Sequence, residues 1–345
     1  MDGETNLHTI IYLDQNYLSY MAKARLGSIK AEADAVFCQL LFDDLEKAVL
    51  ADKITCPKSE FHMIEAAYDT RLEGAIGKVI DELARGLELR PWDSILKSQI
   101  EDAARKFLGK KPDQKNPWAI AFESDPRVPV DSRMQDICGA KVRMGVPSSL
   151  PSKVVQPNRQ LKRKFVDLLQ NLLNNRVNSQ PADLSGTIVE EKKDFIERFM
   201  GIQALRSIQE KSQGGSQSDR QSALNTYIEL YNLWERLYEI GVDTNDDKLV
   251  MDFAESELLN TPFIDIYCSI LAVIATHHLS IKPGDLFDIP ILATVLPYCD
   301  VTTTDKSMKE ILTNILHFDN KYKAKIFSAK KADRLAFHKL VRALI

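Results

Sequence analysis

Lys282 to Glu310 reads KPGDLFDIPILATVLPYCDVTTTDKSMKE, and the parsing of this stretch decides the fold. Asp285 and Asp288 precede a short apolar run of helical character near residues 286–296. Asp300 and Asp305 then stand on either side of the β-rich VTTT, a strand near 299–304. Carboxylates on loops that face the same way around an apolar helix make a bed for a hard divalent cation, which takes oxygen ligands. Whatever completes that bed must come from elsewhere in the chain.

The chain opens with the same alternation. His8 to Leu13 (HTIIYL) is β-branched and apolar, as a buried strand is. It ends at Asp14, and QNYLSYMAKA continues as a helix. Ala31 to Ala51 carries apolar residues at helical spacing (Val36, Leu40, Leu41, Leu45, Val49) and crosses back over the sheet. Lys53 to Cys56 is a second strand, stopped by Pro57. Ser59 caps the helix that follows, EFHMIEAAYDTRLEGAIGKVIDELARG, which carries Glu65. LELRP, after Gly86, reads as a third short strand. Strand, helix, strand, helix is the start of a doubly wound α/β fold with a mainly parallel sheet.

The middle differs. Residues 93–109 are helical, 110–158 are rich in Pro, Lys and Asp with weak periodicity, and amphipathic helices follow over 159–175, 187–211 and 218–240. With no fixed repeat period, 91–260 reads as a mainly helical insertion containing the irregular 110–158 segment. The α/β pattern resumes with FIDIYCSILAVIATHHL, an apolar helix expected on the sheet, and ends with a strand at 322–329 and a closing helix from Lys331. The core is thus discontinuous, 1–90 and 261–345.

Composition narrows the functional classes. The 345 residues hold 44% apolar and 27% charged side chains, the balance of an ordinary globular protein. Five scattered cysteines without CxxC or Cys/His spacing argue against a structural zinc site and a disulfide framework. The acidic first residues and short apolar runs fit neither a signal peptide nor a membrane span, so a cytoplasmic location with no membrane partner is the expectation. A net charge of -4 exerts no global pull on nucleic acid, so such a substrate needs a local basic surface or metal ions.

Asp14, Glu65, Asp288 and Asp305 fall at predicted strand ends and helix starts, with Asp285 and Asp300 nearby. Four carboxylates meeting in one crevice repel unless a cation sits among them, which points to Mg²⁺ or Mn²⁺. The chemistry this suits is phosphodiester hydrolysis, where one or two metal ions activate water and steady the leaving oxygen. The ordered set resembles the PIN-domain superfamily of metal-dependent ribonucleases. Its marks are an Asp closing the first strand with Asn two residues on (YLDQN, Asp14 and Asn16) and a Glu in the helix after the second strand (CPKSEFHMIEA, Glu65). An Asp opens an apolar, Ala-containing helix (DIPILA, Asp288), and a T-x-D or TD ends the next strand (TTTDKSM, Asp305).

The resemblance covers roughly 1–90 and 261–330. It implies a PIN-like doubly wound sheet, Mg²⁺ or Mn²⁺ in the acidic pocket, and endonucleolytic cleavage of RNA more than DNA. Asp285 beside Asp288 and Asp300 beside Asp305 double the third and fourth acids and stand as further ligand candidates, Asp300 at the strand start reading rather as a structural residue, and Asn16 and Thr304 are supporting residues. Arg159, Lys162, Arg163 and Lys164 of the insertion are candidates for contact with the nucleic acid. A toxin or defence setting, with a regulatory protein docked on the insertion, follows by analogy; self-association stays open. Two other readings remain: a catalytically silent PIN-like scaffold that binds nucleic acid or protein, and a DNA-cleaving nuclease or metal phosphohydrolase of small substrates. The absence of a phosphate-cradling GxxxxGK loop weighs against the last.

Overall fold

The computed structural model describes residues 8–66, 71–112, 117–127, 170–171, 183–199, 233–243 and 246–345. The chain divides into two compact units. Met1–Pro91, Asn116–Asn171 and Ile281–Ile345 form the first, and Trp92–Lys115 and Leu172–Ser280 the second.

The first unit is α/β, as the alternation of strands and helices predicts. Its elements are β1 (Thr9–Tyr12), α1 (Gln15–Arg25), α2 (Glu32–Leu50), β2 (Ile54–Thr55), α3 (Glu60–Ala66), α4 (Glu73–Ala84) and α5 (Trp118–Ala121). These are followed by α6 (Asp285–Val295), β3 (Val301–Thr304), α7 (Lys306–Glu310), α8 (Phe318–Tyr322), β4 (Lys325–Ser328) and α9 (Lys331–Leu344). Among the described residues the sheet has four strands in the order β2-β1-β3-β4, all parallel. Ile11 pairs with Val301 and Tyr12 with Thr302, while Thr304 pairs with Ser328. From β1 the chain moves outward to β2, and from β3 it moves outward the other way to β4. The order therefore reverses between β1 and β3, and it is outside the carboxyl ends of the strands at such a reversal that open α/β sheets place their ligands.

Alternation along the strands shows why the sheet holds. Ile11, Leu13, Ile54 and Val301 join the main core with Met21, Leu41, Leu45, Ile76, Val79, Phe337 and Val341. Successive side chains point to opposite faces, and Ile10 and Tyr12 are as buried as Ile11 and Leu13. Both faces of β1 are covered, which is why HTIIYL is a continuous apolar run rather than an alternating one. Phe337 anchors α9 in this core, edge-on to Tyr17 and tilted against Phe327 at centroid distances of 5.4 and 5.5 Å.

Several sequence expectations are corrected in detail. The buried stripe of α2 is Cys38, Leu41, Phe42, Leu45, Ala48 and Val49, and Val36 and Leu40 are exposed. The apolar stripe is rotated because Cys38 and Phe42 supply its inner edge. The single long helix after Ser59 is two helices, α3 and α4. α4 ends where Arg85 and Gly86 both take positive φ. LELRP makes only isolated bridges, Lys58 with Glu88 and Leu89 with Phe122. The last strand is shorter than 322–329 because α8 occupies Phe318–Tyr322.

In the second unit, helices Trp92–Phe107, Leu184–Phe199, Asp247–Ser256 and Pro262–Thr276 pack together. Pro262–Thr276 was expected on the sheet but belongs here, seated against Leu184–Phe199 and Trp92–Phe107. Its contacts are aromatic: Phe263 stacks on Trp92 and Tyr267, and Phe195 tilts against both Phe263 and Tyr267. A buried ion pair, Lys192 with Asp265 at 2.6 Å, fixes the same helices in register. Among the described residues no single helix is long and apolar enough to cross a membrane. Lys248–Asn260 and Pro262–Thr276 reach that composition together but are bent by 74°.

Candidate metal centre

Asp14 follows the last β1 residues and serves as the N-cap of α1, with φ -65° and ψ 155°. Its Oδ2 accepts from the Asn16 backbone at 3.2 Å and from the Asn16 side-chain amide at 2.7 Å. Its own N–H donates to Thr303 Oγ1 at 2.7 Å, which ties the end of β1 to the neighbouring strand. At the end of the neighbouring strand Asp305 leaves β3 and caps α7, its Oδ1 accepting from Met308 N at 2.7 Å. Capping uses one oxygen, so such a carboxylate can serve a helix and a cluster together.

The third acid comes from α6. This helix starts at Asp285, earlier than the DIPILA motif implies, and Pro290 lies inside it, where it forfeits one helical hydrogen bond. Asp285 and Asp288 are therefore three residues apart on one helical face. Oxygens of Asp285, Asp288 and Asp305 all lie within 4.8 Å of one another. Asp285 is buried and its Oδ2 accepts from Lys282 N at 2.7 Å, while Asp288 and Asp305 are half-buried.

Asp14 and Glu65 are not part of that group of three, but both repel the Asp288 carboxyl. The Asp288 carboxyl is raised to about 9, by loss of hydration first and then by repulsion from Asp14, Glu65, Asp305 and Asp285. Asp14 is raised to about 6 by loss of hydration, with a further push from Asp305, against the bonds from Asn16 and Gln15. Tyr12, beneath them on β1, is pushed up by burial and feels Asp14, Glu65 and Asp288. Asp288 is thus the hub, and it differs from its neighbours in one respect. Among the described residues its carboxylate has no hydrogen-bond donor, whereas Asp14, Asp285 and Asp305 each have one or more.

The donor set is all oxygen and all anionic, which fits Mg²⁺ or Mn²⁺ and not a soft metal. Oxygens that all lie within 4.8 Å of one another are near enough to share one such ion.

The remaining candidates separate cleanly. Asp300 sits at the amino end of β3, where its Oδ2 accepts from Ile10 N at 2.8 Å and its other oxygen is 4.0 Å from Arg127. The sheet is parallel, so this is the edge opposite the acids, and Asp300 is a structural residue rather than an alternative ligand. Asn16 supports Asp14 directly. Thr304 is buried at the end of β3, and the hydroxyl that binds the Asp14 backbone is that of Thr303, one residue earlier. Strand alternation could have found it, because Thr303 shares the face of Val301 and Ile11. Arg159, Lys162, Arg163 and Lys164 lie outside the described residues.

No family model matches the chain, and neither the curated proteins nor the solved structures compared with it include a significant match.

Proposed function

We propose that the first unit is a PIN-like nuclease core that hydrolyses phosphodiester bonds with Mg²⁺ or Mn²⁺, preferring RNA, as an endonuclease. The observation that carries the reading is Asp288. It is a half-buried carboxyl with no hydrogen-bond donor among the described residues, held among four other acids where the strand order reverses. An isolated protein gains nothing from that arrangement, since it forces Asp288 to stay protonated at neutral pH. A cation resolves the conflict.

In this reading Asp14, Glu65, Asp288 and Asp305 hold the ion, with Asp285 available beside them. The ion, when bound, supplies Lewis acidity toward a phosphate oxygen and lowers the cost of forming a hydroxide nucleophile. The protein's part is positional. Asn16 fixes the rotamer of Asp14 through two bonds to one oxygen, and the caps on α1 and α7 fix the directions of Asp14 and Asp305. Support for the family comes from the parallel order β2-β1-β3-β4 and from the acids being carried at the carboxyl edge. A toxin or defence role with a protein inhibitor belongs to the same proposal by analogy alone.

The test is incubation with labelled RNA, single-stranded DNA and duplex DNA, with Mn²⁺ and with chelator. Metal-dependent RNA cleavage, abolished by Asp14→Asn and Asp288→Asn in folded protein, is the expected result. RNA retention without product would establish a silent scaffold instead, and turnover of small phosphate esters alone would establish a phosphohydrolase.

A further inference from the structure

His62 carries none of the charge of the metal centre, yet its bonds reach two of the elements that present the acids. At the start of α3 its backbone N–H donates to Ser59 Oγ at 3.4 Å, and its ring Nδ1 accepts from Ser59 N at 3.3 Å. This is a reciprocal capping box with histidine in the place usually taken by Glu or Gln. Because Nδ1 accepts, the proton of the neutral ring is on Nε2, and Nε2 donates to the Leu13 carbonyl at 2.8 Å.

That carbonyl belongs to the peptide leading into Asp14. The ring also lies flat on Tyr12, with centroids 4.9 Å apart and planes 11° apart, and the Tyr12 hydroxyl meets Ser59 Oγ at 3.1 Å. Ser59, His62, Leu13 and Tyr12 thus form a closed circuit, in which His62 is 2% exposed. Glu65 follows three residues later, about 4.5 Å along the helix and on the same side. Capping accounts for the Ser59 bonds alone. It does not account for a second ring bond to the strand end.

We propose that His62 is a positioning residue, clamping the strand end that bears Asp14 to the helix that bears Glu65 and so setting the spacing of those two carboxylates for the cation. The proposal rests on the metal-centre reading above.

Two measurements on the full chain test it. Calorimetry gives the Mn²⁺ affinity of wild type, His62→Leu and His62→Gln, with circular dichroism as the check on folding. Gln offers one acceptor and one donor, so it can remake both ring bonds. His62→Leu should weaken Mn²⁺ about tenfold or more, as loss of a ligand-orienting partner does, and His62→Gln should restore it to within about threefold. A folded His62→Leu that binds Mn²⁺ like wild type, or a His62→Gln as weak as His62→Leu, overturns the clamp.

Should His62→Leu fail to fold, the wild type decides by nitrogen NMR of labelled histidine. The His62 Nε2 resonance should move as Mg²⁺ saturates the protein, and a resonance that stays put overturns the proposal. Wild type that binds no Mn²⁺ defeats the metal-centre reading itself, and the clamp falls with it; that outcome is distinct from wild-type binding that is indifferent to His62.

Discussion

Asp288→Asn should make the metal-free protein more stable and the metal-loaded protein no more stable than the metal-free one. Carboxylate oxygens of Asp285, Asp288 and Asp305 lie within 4.8 Å of one another. Two unit charges at that separation repel by about 3.5 kcal/mol at an effective dielectric constant of about 20. Protonation, which includes the same repulsion, gives a figure of similar size. Holding the Asp288 carboxyl neutral up to about 9, instead of the ordinary 3.8, costs about 4 kcal/mol at pH 7. Asparagine avoids that cost but buries an amide needing partners, which takes back about 1 kcal/mol. A net gain of about 3 kcal/mol is expected, or roughly 6–12 °C in the unfolding of a unit this size. Differential scanning in chelator and in Mn²⁺ measures both effects. Wild type should gain about 2.7 kcal/mol at a hundredfold excess of Mn²⁺ over its dissociation constant, and Asp288→Asn should gain little. A variant less stable than wild type in chelator, or one stabilised by Mn²⁺ as strongly as wild type, would refute the reasoning.

The same electrostatics set a pH dependence and two controls. Asp14 and Asp288 have folded values raised to about 6 and about 9, so between pH 4 and 9 the metal-free folded state binds more protons than the unfolded chain. Their contribution to stability is therefore greatest below pH 4 and is lost as pH rises through those values; urea unfolding in chelator at pH 5 and pH 8 should show the fall. Mn²⁺ binding at pH 7 should release about one proton, chiefly from Asp288, measurable by calorimetry in buffers of different ionisation enthalpy. Asn16→Ala removes the side-chain amide bond to Asp14 Oδ2 and keeps the backbone one, so it should raise the Asp14 carboxyl further and weaken Mn²⁺ by about tenfold in a titration. Asp300→Ala strips the acceptor from Ile10 N–H; it should cost about 1–3 kcal/mol in urea unfolding while leaving Mn²⁺ affinity unchanged.

The strand-and-helix order of the first unit was legible because β1, β2 and β3 are β-branched runs that stop at or near a carboxylate or a proline. HTIIYL before Asp14 and VTTT before Asp305 are the clearest cases. Legibility failed where one local signal fits two tertiary fates. FIDIYCSILAVIAT is apolar nearly all round, so its sequence states that it is buried without naming its neighbour; here the neighbour is a helix with matching aromatics. Asp300 and Asp305 both adjoin VTTT and look equivalent as composition. Strand direction separates them, since in a parallel sheet the residue before β3 and the residue after it lie on opposite edges, and only the second lies on the edge of Asp14. The turn that breaks the helix after Ser59, and the rotation of the α2 stripe toward Cys38 and Phe42, depend on packing that no local window contains.

Most acids of the cluster have a second occupation. Asp14 caps α1, Asp305 caps α7, and Asp285 receives the Lys282 N–H. Each of these would be explained by helix and loop chemistry if it stood alone, and none by itself argues for a cation. Asp288 has no such occupation among the described residues, and its neighbours make its ionisation unfavourable. A fold selected for stability alone would replace it with a neutral residue at no structural loss. The conflict is thus local, confined to one side chain at the point where the strand order reverses, and sequences depart from self-consistency mainly where function requires it. Asp288 rather than the better-anchored Asp14 is therefore the residue whose neutral replacement separates the metal reading from the capping reading.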